Sequence, residues 1–329
     1  MKFSSSSYLE EFEYFEEEFL RDQRRKMQRR GRPKAHGDEA QARAALTDFN
    51  DNIESWVPSY AAALDPLHHE RQWVINSVGP FYREEIVTDV VRLVKGGKEA
   101  NVYACIAHPK TGLEMIAAKL YRPRILRNLK NDAIYKAGRL LRDSQGKQMK
   151  GGRRDRLALQ KKTAYGKELD FGQWIGTEFR VQQMLYEAGA SVPKPLAFQN
   201  TTIIMEYIGD EIGPAPALNE VRLPVEEAPA LFKQVMDNVA LMLDHHHVHG
   251  DLSAYNILYW NGRVTLIDFP QMVEARHNPN AFELLKRDVT RVCEYFAKYG
   301  VVADPVQLTL DLWEPYMGSS DSWQEIDYE

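Results

Sequence analysis

The sequence predicts an α+β protein of two lobes, the first built on an antiparallel sheet and the second mostly helical. Three observations carry this. Between Ile86 and Tyr121 the runs "IVTDVVRLV", "ANVYACIA" and "LEMIAAKLY" are short and β-rich, with the glycine turns "KGGKE" and "HPKTG" between them. Further on, apolar residues recur at helical spacing, as in "APALFKQVMDNVALMLDHHH" through Leu231, Val235, Val239 and Met242. A chain of 329 residues with 44% hydrophobic content can build two domains, or one domain of two lobes.

Taken in order, residues 1–50 read as a charged, partly disordered extension: the acidic-aromatic run "YLEEFEYFEEEF", then "RRKMQRRGRPKAHGDEA". Its "RGRP" is the core of hooks that read the DNA minor groove, but in a basic tail of this kind the simpler reading is a solvated segment. Residues 51–84 carry Trp56, Tyr60, Leu64, Trp73, Val74 and Val78 at mixed helical spacing and should form helices packed on the first lobe. The first lobe itself spans 85–208. It holds three strands, a basic insertion over 122–170, the helical run "FGQWIGTEFRVQQMLYEAG" closed by Gly189, and two more strands in "PKPLAFQ" and "TTIIMEYIG". Residues 209–329 form a reduced second lobe.

No stretch approaches the ~18 uninterrupted apolar residues of a membrane span, and the acidic N-terminus lacks the apolar run of a signal peptide. Cys105 and Cys293 fit no zinc or disulfide spacing. A cytoplasmic protein with buried thiols and no membrane partner is expected. The net charge of −5 conceals a segregation, because residues 122–162 hold 14 Lys or Arg against only Asp132, Asp143 and Asp155. Such a block either attracts phosphates, of nucleotide or RNA, or is a solvated loop.

The chemistry concentrates in "DHHHVHGDLSAYNIL", residues 244–258. A zinc site on His245 and His249 lacks the intervening glutamate, and Gly250 argues that the helix has already ended. "HGDLSAYN" instead has the spacing H-x-D-x-x-x-x-N of a phosphoryl-transfer loop, in which Asp251 orients or deprotonates the acceptor and Asn256 holds magnesium. His245 to His247 then read as the polar end of the helix, and His249 as the residue that packs the loop.

The partners such chemistry requires follow. In "NILYWNGRVTLID" the Asn261-Gly262 pair is a strong hairpin signal, and a two-residue loop there puts Trp260 opposite Arg263 and Asn256 opposite Ile267. Asp268 thereby comes to the same end of the ladder as Asn256, giving hard oxygen ligands for magnesium. Lys119 sits in a predicted central strand, where a lysine needs a partner, and Glu178 on the following helix is the natural one. Gly96, Gly97, Lys98, Glu99 and Val102 of "KGGKEANVY" are placed to fold over the phosphates.

The segments "GGKEANVY", "AAKLY", "WIGTEFRVQQMLYEAGASVPKP", "IIMEYIG", "GPAPAL", "HGDLSAYNIL" and "IDFPQMVEARHNPNAFELLKRD" resemble the RIO family of atypical protein kinases over about residues 85–300. The resemblance implies a bilobal protein-kinase-like fold that binds ATP and Mg2+, with Mn2+ as an alternative ion. It implies Lys119 as phosphate ligand, Met205, Glu206, Tyr207 and Ile208 as adenine hinge, Asp251 as catalytic aspartate, and Asn256 and Asp268 as metal ligands. It further implies serine/threonine kinase activity with autophosphorylation, an ATPase cycle through an aspartyl-phosphate on Asp268, and a link to ribosomal RNA or a pre-ribosomal particle through the basic block.

No "APE" segment follows Asp268, so hydrolysis or self-phosphorylation gains weight over peptide phosphorylation, with Ser144 and Thr163 as candidate acceptors. Asp288 in "LLKRDV" should brace the catalytic loop, and Arg287 should pair locally. A small-molecule phosphotransferase of the aminoglycoside or choline kinase type shares "HGDL" and "IDF". A nucleotide-sensing RNA-binding scaffold is the third reading, but it has no need of Asp251.

Overall fold

The β-rich runs form strands Val87–Gly96 (β1), Ala100–Ala107 (β2), Met115–Tyr121 (β3), Pro195–Gln199 (β4) and Thr202–Glu206 (β5). They assemble into one antiparallel sheet in the order β1-β2-β3-β5-β4. The structure is a computed structural model and describes residues 56–65, 68–97, 99–122 and 164–318. The N-terminal extension, Lys98, and the basic block from residue 123 with Ser144 and Thr163 lie outside the described residues. All elements below belong to the unit Pro58–Glu329.

β3 takes the middle of the sheet because "MIAAKLY" is apolar throughout except at Lys119, and Ile116 to Tyr121 are all buried. Helices Ser59–Ala62 (α1) and His69–Arg83 (α2) cover the sheet, with Val74, Val78 and Phe81 fully enclosed. Asp89 of β1 anchors the first of them by accepting from Ser59 N at 2.7 Å. Helix Ala164–Glu187 (α3) begins inside the stretch 122–170 assigned to the insertion.

In the second lobe, helices Ala228–Asp244 (α4), Ala281–Ala297 (α5) and Pro305–Gly318 (α6) pack around Leu231, Val235, Val239, Leu285, Val289 and Phe296. Full burial of each such side chain stabilises by about 1.5–3 kcal/mol. No helix among the described residues is long and apolar enough to cross a membrane. Both cysteines are buried and free.

Strands Ile257–Trp260 (β7) and Arg263–Leu266 (β8) pair with Trp260 opposite Arg263 and Ile257 opposite Leu266, the register the two-residue loop dictates. Asn261 and Gly262 both take positive φ, 49° and 75°, as a turn matched to the strand twist requires. The histidine run differs from the sequence reading. α4 stops at Asp244, His246 adopts φ 60°, and His247 enters the short strand His247–Val248 (β6) opposite Glu274 of Val273–Glu274 (β9). The helix ends before the first histidine and the left-handed residue follows two positions later, so none of the three belongs to it.

Gly209 follows β5 at φ 142°, and a Cβ there would stand 2.5 Å from Gly213 O and 2.8 Å from Ala215 N. Both contacts are backbone and cannot step aside. Gly209→Ala should therefore lower stability by about 2 kcal/mol or more, read as a lower urea midpoint at unchanged slope. Gly213→Ala, whose Cβ would meet nothing within 4 Å, serves as the near-neutral control.

Candidate active site

One face of α3 positions the site. Trp174, Glu178 and Gln182 recur every fourth residue, so they share a stripe along the helix. Trp174 Nε1 donates to Pro270 O at 3.0 Å, and Gln182 Nε2 donates to Pro193 O at 2.8 Å and lies 3.5 Å from Met205 Sδ. Between them Glu178 Oε1 accepts from Lys119 Nζ at 2.7 Å, and its Oε2 accepts from the Tyr121 hydroxyl. The helix thus grips the central strand, β5 and the loop after β8 at once.

Lys119 Nζ also donates to Asp268 Oδ1 at 2.8 Å and lies 5.1 Å from the centre of the Tyr121 ring. Burial alone would lower the lysine's pKa, but the Asp268 and Glu178 carboxylates hold it well above its usual value. Desolvation would likewise raise the Asp268 carboxyl, yet the ammonium beside it brings it below the ordinary range. The lysine Nζ is thus shared between the Glu178 and Asp268 side chains. Asp268 is held at φ 73°, a left-handed conformation uncommon outside glycine.

The catalytic-loop candidates converge beside this cluster. Asn256 Nδ2 donates to Asp251 O at 2.9 Å and approaches Asp251 Oδ2 at 3.5 Å, so its amide oxygen takes part in neither contact. Ile267 N donates to Asn256 O at 3.0 Å, so the hairpin ends with Asn256 beside the residue preceding Asp268. Burial lowers the pKa of His249. As a neutral ring it accepts from Asp251 N at 3.3 Å through Nδ1 and donates from Nε2 to Ile267 O at 3.2 Å, tying the Asp251 loop to the strand that leads into Asp268. His246 and His247 face other partners, the Tyr316 hydroxyl and His245 O. Among the described residues no three His, Cys, Asp or Glu are grouped to hold a metal.

α5 holds the loop from behind. Asp288, buried, accepts from Gly250 N at 2.7 Å and Leu252 N at 3.1 Å, and Arg287 Nη2 donates to Gly250 O. Arg291, one turn on, donates to Asp251 Oδ1 at 2.9 Å. Arg291, Tyr121, Trp174 and Gln182 were not singled out in the sequence. The spacing of 174, 178 and 182 on the helix that carries Glu178 was the available signal for two of them.

The remaining candidates lie on the sheet and on the segments that leave its strands. Val102, Met205 and Tyr207 join Ala104 and Ala117 in one apolar cluster, a surface suited to a flat ring. Ile208 O accepts from Ala215 N at 2.8 Å, Glu206 N donates to Lys194 O at 2.8 Å, and the Tyr207 hydroxyl accepts from Arg92 Nη2 at 2.9 Å. Gly96 ends β1, Gly97 follows it, and Glu99 O accepts from Arg122 N at 2.9 Å. Asp251 and Asp268 make no direct hydrogen bond. His249 and Ile267 stand between them.

Residues 101–308 match the RIO domain. The chain is 36% identical over 132 residues to the RIO-type serine/threonine-protein kinase Rio1 of Thermoplasma acidophilum, covering 40% of this chain and 68% of that protein. To the human serine/threonine-protein kinase RIO1 it is 33% identical over 224 residues, 68% of this chain but 36% of the relative. The Chaetomium thermophilum RIO1 is 28% identical over 245 residues, 71% of this chain and 43% of its own length. The alignments thus span less than half of either eukaryotic relative. A Rio2 kinase from Chaetomium thermophilum, solved with ADP, Mg2+ and a phosphoaspartate, superposes with a TM-score of 0.49 at 17% identity, covering 88% of this chain and 81% of that one.

Proposed function

This chain belongs to the RIO domain family, and from that premise we propose that it is an ATP- and magnesium-dependent phosphotransferase, acting on serine or threonine hydroxyls or on water. The observation that carries the reading is Lys119 Nζ, seated 2.7 Å from Glu178 and 2.8 Å from Asp268, where sheet, helix and metal loop meet. In this reading Lys119 holds the α- and β-phosphates, and the cluster of Val102, Ala117 and Met205 receives the adenine. Asn256 and Asp268 offer an amide and a carboxylate oxygen, hard donors that suit Mg2+. Bound there, the ion neutralises charge on the phosphates. Asp251, steadied by Arg291 and Asn256, orients the acceptor hydroxyl or water and takes its proton. Alternatively Asp268 itself attacks the γ-phosphorus, the bond to ADP breaks, and water then cleaves the aspartyl-phosphate.

Incubation with γ-labelled ATP and Mg2+ tests this, with wild type beside Asp251→Ala and Asp268→Ala. Labelled protein or released phosphate is expected in the wild type and a loss of about a hundredfold or more in each variant. Acid-stable label on Ser or Thr marks a kinase. A hydroxylamine-labile label that disappears in Asp268→Ala marks the aspartyl-phosphate route. A wild type that neither labels nor releases phosphate overturns the reading.

A further inference from the structure

Helices α1 and α2 lie before the stretch that matches the RIO domain, yet a buried polar chain leads from them to the glycine turn. Glu70 of α2 is buried, and its Oε1 accepts from the Tyr103 hydroxyl at 2.5 Å and the Tyr60 hydroxyl at 3.1 Å. Asn101 Nδ2 donates to the same Tyr103 oxygen at 3.0 Å. The far end of that amide, Oδ1, accepts from Arg122 Nη2 at 2.9 Å and Gly97 N at 3.4 Å. Tyr103 is fully enclosed and Asn101 is 4% exposed, so water is not at hand to replace a missing partner.

The direction of this chain follows from its first member. A carboxylate can only accept, so Tyr103 must donate to Glu70 and offer its lone pairs to Asn101. Asn101 must then turn Nδ2 toward Tyr103, which leaves its oxygen facing two donors, the Gly97 N–H and the Arg122 guanidinium. Without Glu70, Tyr103 is free to donate to Asn101. A Tyr103–Asn101 bond in that reversed sense would compete with the pairing of Asn101 Oδ1 with the Gly97 N–H and Arg122. A Cβ on Gly97 would stand 2.8 Å from Ala100 O, so the turn has little room to settle elsewhere on that side.

We infer that Glu70 is a positioning residue for the glycine turn: through Tyr103 and Asn101 it fixes the hydrogen-bond direction that holds Gly97 in place for the phosphates of a nucleoside triphosphate. This rests on the phosphotransferase reading above. It makes the helices ahead of the matched domain part of the ATP site, at one remove.

The experiment compares ATP-dependent phosphate release by the full chain in wild type, Glu70→Leu, Glu70→Gln, Tyr103→Phe and the double variant Glu70→Leu/Tyr103→Phe. Glu70→Leu and Tyr103→Phe should each raise KM for ATP about tenfold with kcat within about twofold, the signature of lost binding rather than lost chemistry. Glu70→Gln retains an acceptor for Tyr103 and should stay within about twofold of wild type. Because the residues act in series, the double variant should equal the worse single one. An unchanged KM in Glu70→Leu, or effects that multiply, overturns the inference. Hydrogen exchange of the Gly97 amide, followed by NMR without nucleotide, gives a second readout. Exchange should be faster in Glu70→Leu and Tyr103→Phe and unchanged in Glu70→Gln, and equal protection in all four proteins overturns the inference. A wild type that fails to turn over ATP but shows this exchange pattern sinks the phosphotransferase reading and leaves the positioning chain standing.

Discussion

Asp288→Ala is expected to reduce phosphoryl transfer to background and to lower stability by about 2–6 kcal/mol. The carboxylate satisfies two buried N–H groups, those of Gly250 and Leu252, which flank Asp251. Its loss orphans both donors at about 1–3 kcal/mol each and releases the backbone on which Asp251 is mounted. Asp288→Asn keeps the volume but can accept through only one end of the amide, so it should fall between wild type and Asp288→Ala. Activity assays alongside urea melts separate the two effects, and an active, equally stable Asp288→Ala would contradict the bracing role.

The same residue gives a pH signature. Burial pushes the Asp288 carboxyl up to about 7 against the opposing pull of the Gly250 N–H and the Arg287 guanidinium. An unfolded aspartate titrates near 3.9. Between these values the folded protein holds a proton that the unfolded chain has already released. The stabilisation is therefore fully present below about pH 4 and is lost as pH rises through about 7. The urea midpoint of wild type should fall from about pH 4 to about pH 7, and level off above that, relative to that of Asp288→Asn, which lacks the titration.

Lys119→Met should abolish nucleotide-dependent activity and destabilise by roughly 3–5 kcal/mol, because it leaves the buried Glu178 without its cation. Apolar or neutral replacement of both partners of a buried pair is far milder. The double variant Lys119→Met/Glu178→Gln should accordingly recover most of the stability, since the glutamine can still accept from Tyr121, while remaining inactive. Thermal melts and ATP turnover on the same preparations check this. Recovery of turnover in the double variant would mean that Lys119 serves only the fold.

How much of this was legible in the sequence depended on the range of each contact. The β7–β8 register followed from Asn261-Gly262 because a two-residue turn leaves no freedom in the pairing. The Lys119–Glu178 pair followed because a lysine in an otherwise apolar central strand demands a counter-charge. Arg291 on Asp251 and Glu70 on Tyr103 join residues 40 and 33 positions apart, and neither partner bears a local mark of the other. The positive φ at Asp268 and His246 is likewise set by surrounding structure rather than by the residue, which is why the histidine run was misplaced by a strand. Asp268 could be named as a metal ligand, but not as the second carboxylate on Lys119.

The grip of α5 on the Asp251 loop also sets an order of assembly. Gly250, Asp251 and Leu252 are held by Arg287, Asp288 and Arg291, so the loop cannot settle until the ribosome has released a chain that extends past residue 291. The lysine's bond to Asp268 closes a span of 149 positions, a costly loop to draw shut before other contacts reward it. The sheet, whose neighbouring strands are mostly close in sequence, can form first. A nascent chain would then carry an assembled first lobe before the Lys119–Asp268 contact exists, and the proposed activity would be the last property the protein acquires.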